Sequence, residues 1–151
     1  MLHDTKRLEA ALAPLVGLPL WKSTRAADLR AFHFGGKRTQ TNRAGQESEV
    51  GDFALHVQCA WRIRGPRGIV VASCDWSGSD ADERIRAWHR EPHEVQRITA
   101  DEAGGFAMSF VDGFVLETFP DDSLEDSERW RILRPGDLSS HFVMSGGGVE
   151  D

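Results

Sequence analysis

The feature that most constrains the fold is the alternation of apolar and polar side chains in residues 51–76, GDFALHVQCAWRIRGPRGIVVASCDW. The odd-numbered side chains from Phe53 to Ile63 are apolar, whereas the even-numbered ones from His56 onward are mostly polar. A period of two is typical of a β-strand with one buried face and one polar face. Gly65–Gly68 interrupts the pattern, and a second β-rich run follows. The sequence therefore predicts a long hairpin at the centre of a sheet.

The register of this hairpin follows from which side chains it would bury. In the second strand, the even-numbered residues form the more apolar alternate set. A four-residue loop over Gly65–Gly68 would place that set on the same face as the odd residues of the first strand. The predicted opposite pairs are Ile63–Val70, Trp61–Ala72, Cys59–Cys74 and Val57–Trp76. We therefore expect Cys59 and Cys74 to be reduced, buried thiols that face each other, and a redox role for them stays open.

Further strands and two short helices are predicted in the rest of the chain. Asp4 can cap an amphipathic N-terminal helix, Asp82–Arg90 is a second helical segment, and Ser77–Asp82 between the hairpin and that helix is rich in turn residues. The polar segment Gly35–Gly51 has no sustained pattern and predicts a long mobile loop. The other predicted strands are residues 27–34, 95–99, 106–110, 114–119, 130–133 and 141–144.

An Asp112-Gly113 pair separates two of these strands and predicts a tight hairpin. A two-residue turn would set Met108 opposite Glu117. A three-residue loop with Gly113 in the left-handed conformation would instead set Met108 opposite Leu116. We favour the three-residue loop, because the large apolar side chains of both strands then share one face.

Together these elements predict a single globular domain over residues 1–151. Its class is α+β: mainly antiparallel β-sheet, or a half-open barrel, of about seven strands with a flanking N-terminal helix. No apolar run approaches the roughly 20 residues of a membrane helix, and the N-terminus lacks a signal-peptide pattern. We therefore expect a cytoplasmic location and no membrane association. The net charge of −6 disfavours general binding to nucleic acid.

The polar face of the central hairpin is one candidate binding surface. It carries His56, Gln58 and Arg62, and Arg131 from a later strand could join them. If the sheet curves, these side chains could form a shallow cup for an anionic ligand or for a partner's carboxylates. An ordinary solvated sheet face would have the same pattern. We predict no catalytic residues here, because a general base needs a positioned neighbour and a substrate pocket.

An acidic loop, Pro120–Glu128, is the second candidate surface. Its carboxylates are those of Asp121, Asp122, Glu125, Asp126 and Glu128. Such a cluster can steer a basic partner and raise its association rate, although many charged loops are simply solvated.

Two histidines, His89 and His93, have the i, i+4 spacing of metal ligands on a helix. Pro92 lies between them and no third ligand has a fixed spacing, so we expect solvent-exposed histidines and no metal site. The chain also lacks the glycine-rich phosphate-binding motifs and the serine nucleophile motif. No cofactor is expected.

Several segments also resemble a known family. The runs LHVQCAWRI, FVDGFVLETFPD, ERWRILRP and HFVMSGGGVE resemble a family of small, sheet-rich bacterial proteins that is frequent in actinobacteria, over most of the chain from about Ala27. In its sheet-rich character the chain is also similar to immunity proteins of bacterial toxin systems. This resemblance implies a fold but no catalytic residue. We expect a non-enzymatic binding protein, of immunity or antitoxin type, that neutralises a basic protein partner through its acidic surface. The alternative is a small-molecule-binding protein or an enzyme that uses the polar hairpin face.

Overall fold

One antiparallel sheet dominates the computed structural model, which describes residues 1–75, 80–137, 139 and 141–151. The strands are β1 (Pro19–Ala26), β2 (Leu29–Thr41), β3 (Glu47–Val57), β4 (Ala60–Gly65), β5 (Gly68–Ala72), β6 (His93–Ala100), β7 (Phe106–Phe110), β8 (Val115–Phe119), β9 (Glu128–Leu133), β10 (Phe142–Ser145) and β11 (Gly148–Glu150), and the helices are α1 (Thr5–Leu12) and α2 (Ala81–Trp88). The sheet order is β11-β10-β9-β3-β2-β1-β6-β7-β8-β4-β5. The predicted sheet-rich fold with an N-terminal helix is confirmed, but the predicted count of about seven strands is wrong, since the described residues form eleven.

A two-residue connection forces this sheet to curl. β3 ends at Val57 and β4 begins at Ala60, yet five strands separate them in the sheet. A flat sheet would hold them roughly 29 Å apart at about 4.8 Å per strand, whereas three Cα steps reach about 11 Å at most. Accordingly, the Trp61 ring of β4 packs perpendicular to the Phe32 ring of β2, with ring centres 5.4 Å apart. We call this curled sheet the half-barrel and the connection at Gln58-Cys59 the corner.

The concave face of the half-barrel holds the core. The predicted alternation of buried residues is confirmed from Leu55 onward, on both sides of the corner, at Leu55, Val57, Cys59, Trp61 and Ile63. It is wrong at the start of the run, where Phe53 is half-buried and Ala54 is fully buried. The alternation continues because the concave side remains the buried side as the chain turns. Both helices add apolar side chains to the same core, namely Leu8 and Leu12 from α1 and Ile85 and Trp88 from α2. Asp4 caps α1 as predicted, accepting hydrogen bonds from the backbone N–H groups of Lys6 and Arg7.

The predicted hairpin register holds only beside the loop, and the predicted opposite pairs are wrong. Gly65 pairs with Gly68 and Arg64 with Ile69, as the predicted register requires, but Ile63 pairs with Val71 rather than with Val70. A bulge at Val70 inserts one residue into β5, so Val71 faces the core and is only 2% exposed. The single long first strand is also wrong, because the corner divides it into β3 and β4.

The two cysteines do not face each other. Cys59 lies in the corner and is buried, whereas Cys74 lies beyond the end of β5 and is exposed. The prediction of two buried, opposed thiols is therefore wrong. The predicted pairing of Trp76, and most of the turn-rich segment Ser77–Asp82, fall on residues 76–79, outside the described residues.

The predicted mobile loop over Gly35–Gly51 is instead an ordered hairpin formed by β2 and β3. Residues 36–49 are exposed on both faces, so no apolar periodicity could reveal these strands in the sequence. The two strands of this hairpin approach each other closely at Gly51, where a Cβ atom would lie 2.5 Å from the Phe34 carbonyl oxygen.

The β7–β8 hairpin has the three-residue loop that the sequence favoured. Met108 pairs with Leu116, and Gly113 has φ 93°. The Phe114 carbonyl accepts a hydrogen bond from the Phe110 N–H at 2.8 Å, which closes the loop. In the described part of the chain, neither helix has the length and apolar character that crossing a membrane requires.

Candidate functional site

A cavity of about 270 Å³ lies at one end of the half-barrel. The β1–β2 turn, the corner, the end of β5, the start of α2 and the first aspartate of the acidic loop all contribute to its wall. We call it the mouth cavity, and the described lining residues that matter most are Asp28, Arg30, Cys59, Trp61, Asp82 and Asp121. The curl of the sheet is what gathers these segments, because they are far apart in sequence.

Arg30 is the most unusual group in this wall. It pairs with Val57 across β2 and β3, and its side chain is only 11% exposed. The guanidinium carbon lies 5.6 Å from the centre of the Trp61 ring, a cation–π contact. The nearest carboxylate is that of Asp82, at 3.9 Å, and Asp82 is itself 64% exposed.

This guanidinium is poorly compensated. Among the described residues, none accepts a hydrogen bond from it. A guanidinium has five N–H donors, and the Arg30 nitrogens are not among the fully buried polar atoms without a partner, so these donors still reach solvent. Burial lowers the pKa of Arg30, and the Asp82 charge only partly opposes this effect. Arg30 therefore carries free donor capacity towards the cavity that it lines.

A second arginine, Arg129 in β9, provides the contrast. It is 4% exposed, and its Nη1 atom lies 2.6 Å from a carboxylate oxygen of Asp122. Its Nη2 atom donates to the backbone carbonyls of Asp122 and Leu124 at 2.8 and 3.4 Å. Arg129 thus has the acceptors that a buried arginine requires, whereas Arg30 does not.

Both cysteines line the mouth cavity, although they do not pair. Cys59 is 7% exposed, and burial, helped by the negative charge of Asp121, raises the pKa of its thiol to about 12. Cys59 is therefore a protonated thiol at neutral pH and a weak nucleophile.

Aspartates from separate segments complete the wall. Asp28 lies in the β1–β2 turn, Asp82 in the first turn of α2 and Asp121 just after β8. Neither Asp28 nor Asp121 has an ion-pair partner within the described ranges. A fourth aspartate, Asp75, is already engaged, because it accepts hydrogen bonds from the Ala72 N–H and from Arg84.

The structure divides the predicted acidic loop into two groups. Asp122 and Glu128 are bound to arginines, at 2.6 Å from Arg129 and Arg131 respectively, and the hydrogen bond from Arg129 lowers the pKa of Asp122. The other three carboxylates are exposed, namely those of Asp121, Glu125 and Asp126. Only these three could present uncompensated charge to a partner.

The predicted polar face is brought together only in part. Arg131 pairs directly with His56 across β3 and β9, and Gln58 Nε2 donates to Glu128 at 2.5 Å. Arg131 also donates to Glu128 at 2.6 Å and to His141 Nδ1 at 2.9 Å, so each of its two terminal nitrogens already has an acceptor. Burial, with the nearby Arg131 charge, lowers the pKa of His56.

Arg62 lies apart from this group. Its Nε atom donates to Glu117 in β8 at 3.1 Å, and its guanidinium lies 4.7 Å from the centre of the Phe119 ring. No described contact joins it to the other three residues. The four predicted residues therefore do not form one binding surface.

The two spaced histidines are not the exposed pair that we expected. His93 is 4% exposed, with Nδ1 2.6 Å from Asp112 and Nε2 2.7 Å from the Trp88 carbonyl. His89 Nε2 lies 2.9 Å from the Ser23 hydroxyl, and burial lowers the pKa of His89 to about 4. Both histidines thus belong to the packing around α2. No cluster of three or more metal-binding side chains occurs among the described residues.

Sequence reasoning missed Arg30, although a signal was present. In β2, Arg30 belongs to the same alternate set as Phe32 and Phe34, which are fully buried. A charged residue in an otherwise apolar alternate set indicates a buried charge, and buried charges need partners.

Comparison of the chain with protein-family models, with curated proteins and with solved structures found no match. The resemblance to a bacterial family and to immunity proteins therefore stays a prediction. Function has to be inferred from the mouth cavity and from the charged surfaces around it.

Proposed function

We propose that the protein is a non-enzymatic binding protein that holds a small carboxylate against Arg30 in the mouth cavity. The observation that supports this function is the guanidinium of Arg30, which is 11% exposed, lies over Trp61 and lines a cavity without a described hydrogen-bond acceptor. A carboxylate would supply two acceptors in the geometry that a guanidinium matches best.

The size and charge of the cavity favour a carboxylate over a phosphate ester. Its volume of about 270 Å³ is below the roughly 300–1,000 Å³ typical of drug-sized ligand pockets. Asp28, Asp82 and Asp121 would repel a doubly charged phosphate more strongly than a singly charged carboxylate. The protonated Cys59 thiol beside the site favours reversible binding over covalent catalysis.

Thermal unfolding in the presence of acetate, butyrate or benzoate tests this proposal. A ligand that binds only the folded protein should raise the melting temperature in a concentration-dependent way. Arg30→Met should abolish the rise, because methionine keeps an aliphatic stem over Trp61 but has no charge. Arg67→Met, at an exposed arginine in the β4–β5 loop, is the matched control and should respond like the wild type. An equal response in Arg30→Met would refute the assignment.

Neutralisation of a basic protein partner is a second candidate function, supported by the exposed carboxylates of Asp121, Glu125 and Asp126. In this case, native mass spectrometry of the complex from cytoplasmic extract should identify a basic protein, in keeping with the cytoplasmic location that the sequence predicts. The triple change Asp121→Asn, Glu125→Gln, Asp126→Asn should slow association and flatten its salt dependence. Matched changes at Glu47 and Glu49 on the exposed hairpin should leave both unchanged. Identical kinetics in the triple variant would remove the acidic loop from the mechanism.

A further inference from the structure

The mouth cavity carries both signs of charge. Its described cations are Arg25 and Arg30, and its aspartates outside the Arg84 ion pair are Asp28, Asp82 and Asp121. A purely anionic ligand would satisfy Arg30 but would also lie among these carboxylates. A ligand with one negative and one positive group would match the wall better.

The two signs are separated by depth. The Arg30 side chain is 11% exposed and lies on Trp61 of the core, whereas the Asp82 side chain is 64% exposed. Asp28 and Asp121 are also exposed. The cavity therefore has a positive inner part and a mainly negative rim, on which the exposed Arg25 is the described cation.

The negative charge of the rim also acts on the inner wall of the cavity. The charge of Asp121 adds to burial in raising the pKa of Cys59, a residue that is 7% exposed. The field of this aspartate is thus felt inside the cavity and not only in bulk solvent. An ammonium group near the rim would lie in a favourable field.

We propose that the ligand is a compact zwitterion of the α-amino-acid type. Its carboxylate binds the Arg30 guanidinium, and its ammonium group lies among the rim aspartates, with Asp82 and Asp121 as the principal partners. Trp61 and Val71 offer apolar contact to an aliphatic side chain. This inference rests on the proposed function, because it uses the same Arg30 site, and it adds the second charge of the ligand.

The test begins with isothermal titration calorimetry of the proteinogenic amino acids one at a time. The best binder is then compared with its N-acetyl derivative, which lacks the ammonium group, and with its amide, which lacks the carboxylate. Both derivatives should bind at least about tenfold more weakly than the free amino acid. Tenfold corresponds to the loss of one modest charged contact.

Variants separate the two poles of the site. Arg30→Met should weaken both the free amino acid and its N-acetyl derivative. The double change Asp82→Asn, Asp121→Asn should weaken the free amino acid about tenfold and leave the N-acetyl derivative unchanged or bound more tightly. Glu47→Gln with Glu49→Gln, on the exposed β2–β3 hairpin, is the matched control and should change neither affinity.

Other outcomes would overturn the zwitterion inference alone, or that inference together with the proposed function. If no amino acid binds, or if the N-acetyl derivative binds as well as the free amino acid, the zwitterion inference is overturned. In that case, acetate, butyrate or benzoate binding that depends on Arg30 would leave the proposed function standing. If neither amino acids nor simple carboxylates bind, both are overturned.

Discussion

Replacing Arg30 by methionine should leave the unliganded protein as stable as the wild type, or more stable by roughly 1–2 kcal/mol. Partial desolvation of a guanidinium whose nitrogens still reach solvent costs about 1–3 kcal/mol. The contact with Trp61 returns about 0.5–2 kcal/mol, and the loose pair with the exposed Asp82 returns about 0–1 kcal/mol. Methionine keeps much of the packing on Trp61 and removes the charge, and well-matched replacements in a core cost less than about 1.5 kcal/mol. The terms therefore nearly cancel or favour the variant.

Arg129→Met is the matched control, since Arg129 is also buried but fully paired. Its removal leaves the Asp122 carbonyl without its donor and the Asp122 carboxylate without its partner, so we expect a loss of about 2–4 kcal/mol. Urea unfolding followed by circular dichroism measures both variants, and comparable m-values would show that the same transition is compared. A loss in Arg30→Met as large as that in Arg129→Met would refute the reasoning, because it would make Arg30 a structural residue.

Other predictions concern the thiols, the histidines and the core. Ellman's reagent should titrate one thiol in the folded protein, that of exposed Cys74, and two thiols after unfolding. Cys74→Ser should leave no reactive thiol in the folded state. Rapid reaction of Cys59 would contradict its burial. Burial lowers the pKa of His33 and of His89 to about 4, below the unfolded value near 6.5, so both histidines fold in the neutral form. The free energy of unfolding should therefore not depend on these histidines above pH 6.5, and it should fall as the pH is lowered towards 4, by up to about 3 kcal/mol for each histidine. His89→Gln should reduce this pH dependence. Constant stability between pH 7 and 4 would contradict the prediction. Trp61→Ala should cost about 3–5 kcal/mol in chemical denaturation, the range for truncating a core aromatic, and a near-neutral result would show that Trp61 does not anchor the core.

The period-two pattern predicted which side chains of the central segment are buried, but it could not predict where the strand ends. Leu55 and Val57 before the corner, and Trp61 and Ile63 after it, follow one alternation because they face one core. What divides the segment is partner choice, since β3 pairs with β2 and β9 whereas β4 pairs with β8. Partner choice is a long-range property that local alternation does not carry.

The candidate site was even less accessible from the sequence. The charge of Arg30 among buried phenylalanines could be read locally, but the cavity that it lines could not. The wall of that cavity needs the corner and the start of α2 at the same place, and both depend on the curl of the sheet. The bulge at Val70 is a similar case, because a single inserted residue shifts the pairing of β4 and β5 by one position beyond the loop.

The corner also has a consequence for the order in which the chain can fold during synthesis. β2 and β3 can pair as soon as both have left the ribosome, but β4 follows at once and must await β8. Arg62 is 55 residues away from its partner Glu117. In that interval β4 and β5 form at best an isolated two-stranded hairpin, which is marginally stable in water, and the apolar face of Trp61 and Ile63 stays uncovered. A nascent chain that ends near residue 100 should therefore be sensitive to proteolysis and should bind chaperones. The arrival of β7 and β8 should then join β4 to the rest of the sheet in one late, cooperative step, before β9 pairs with β3.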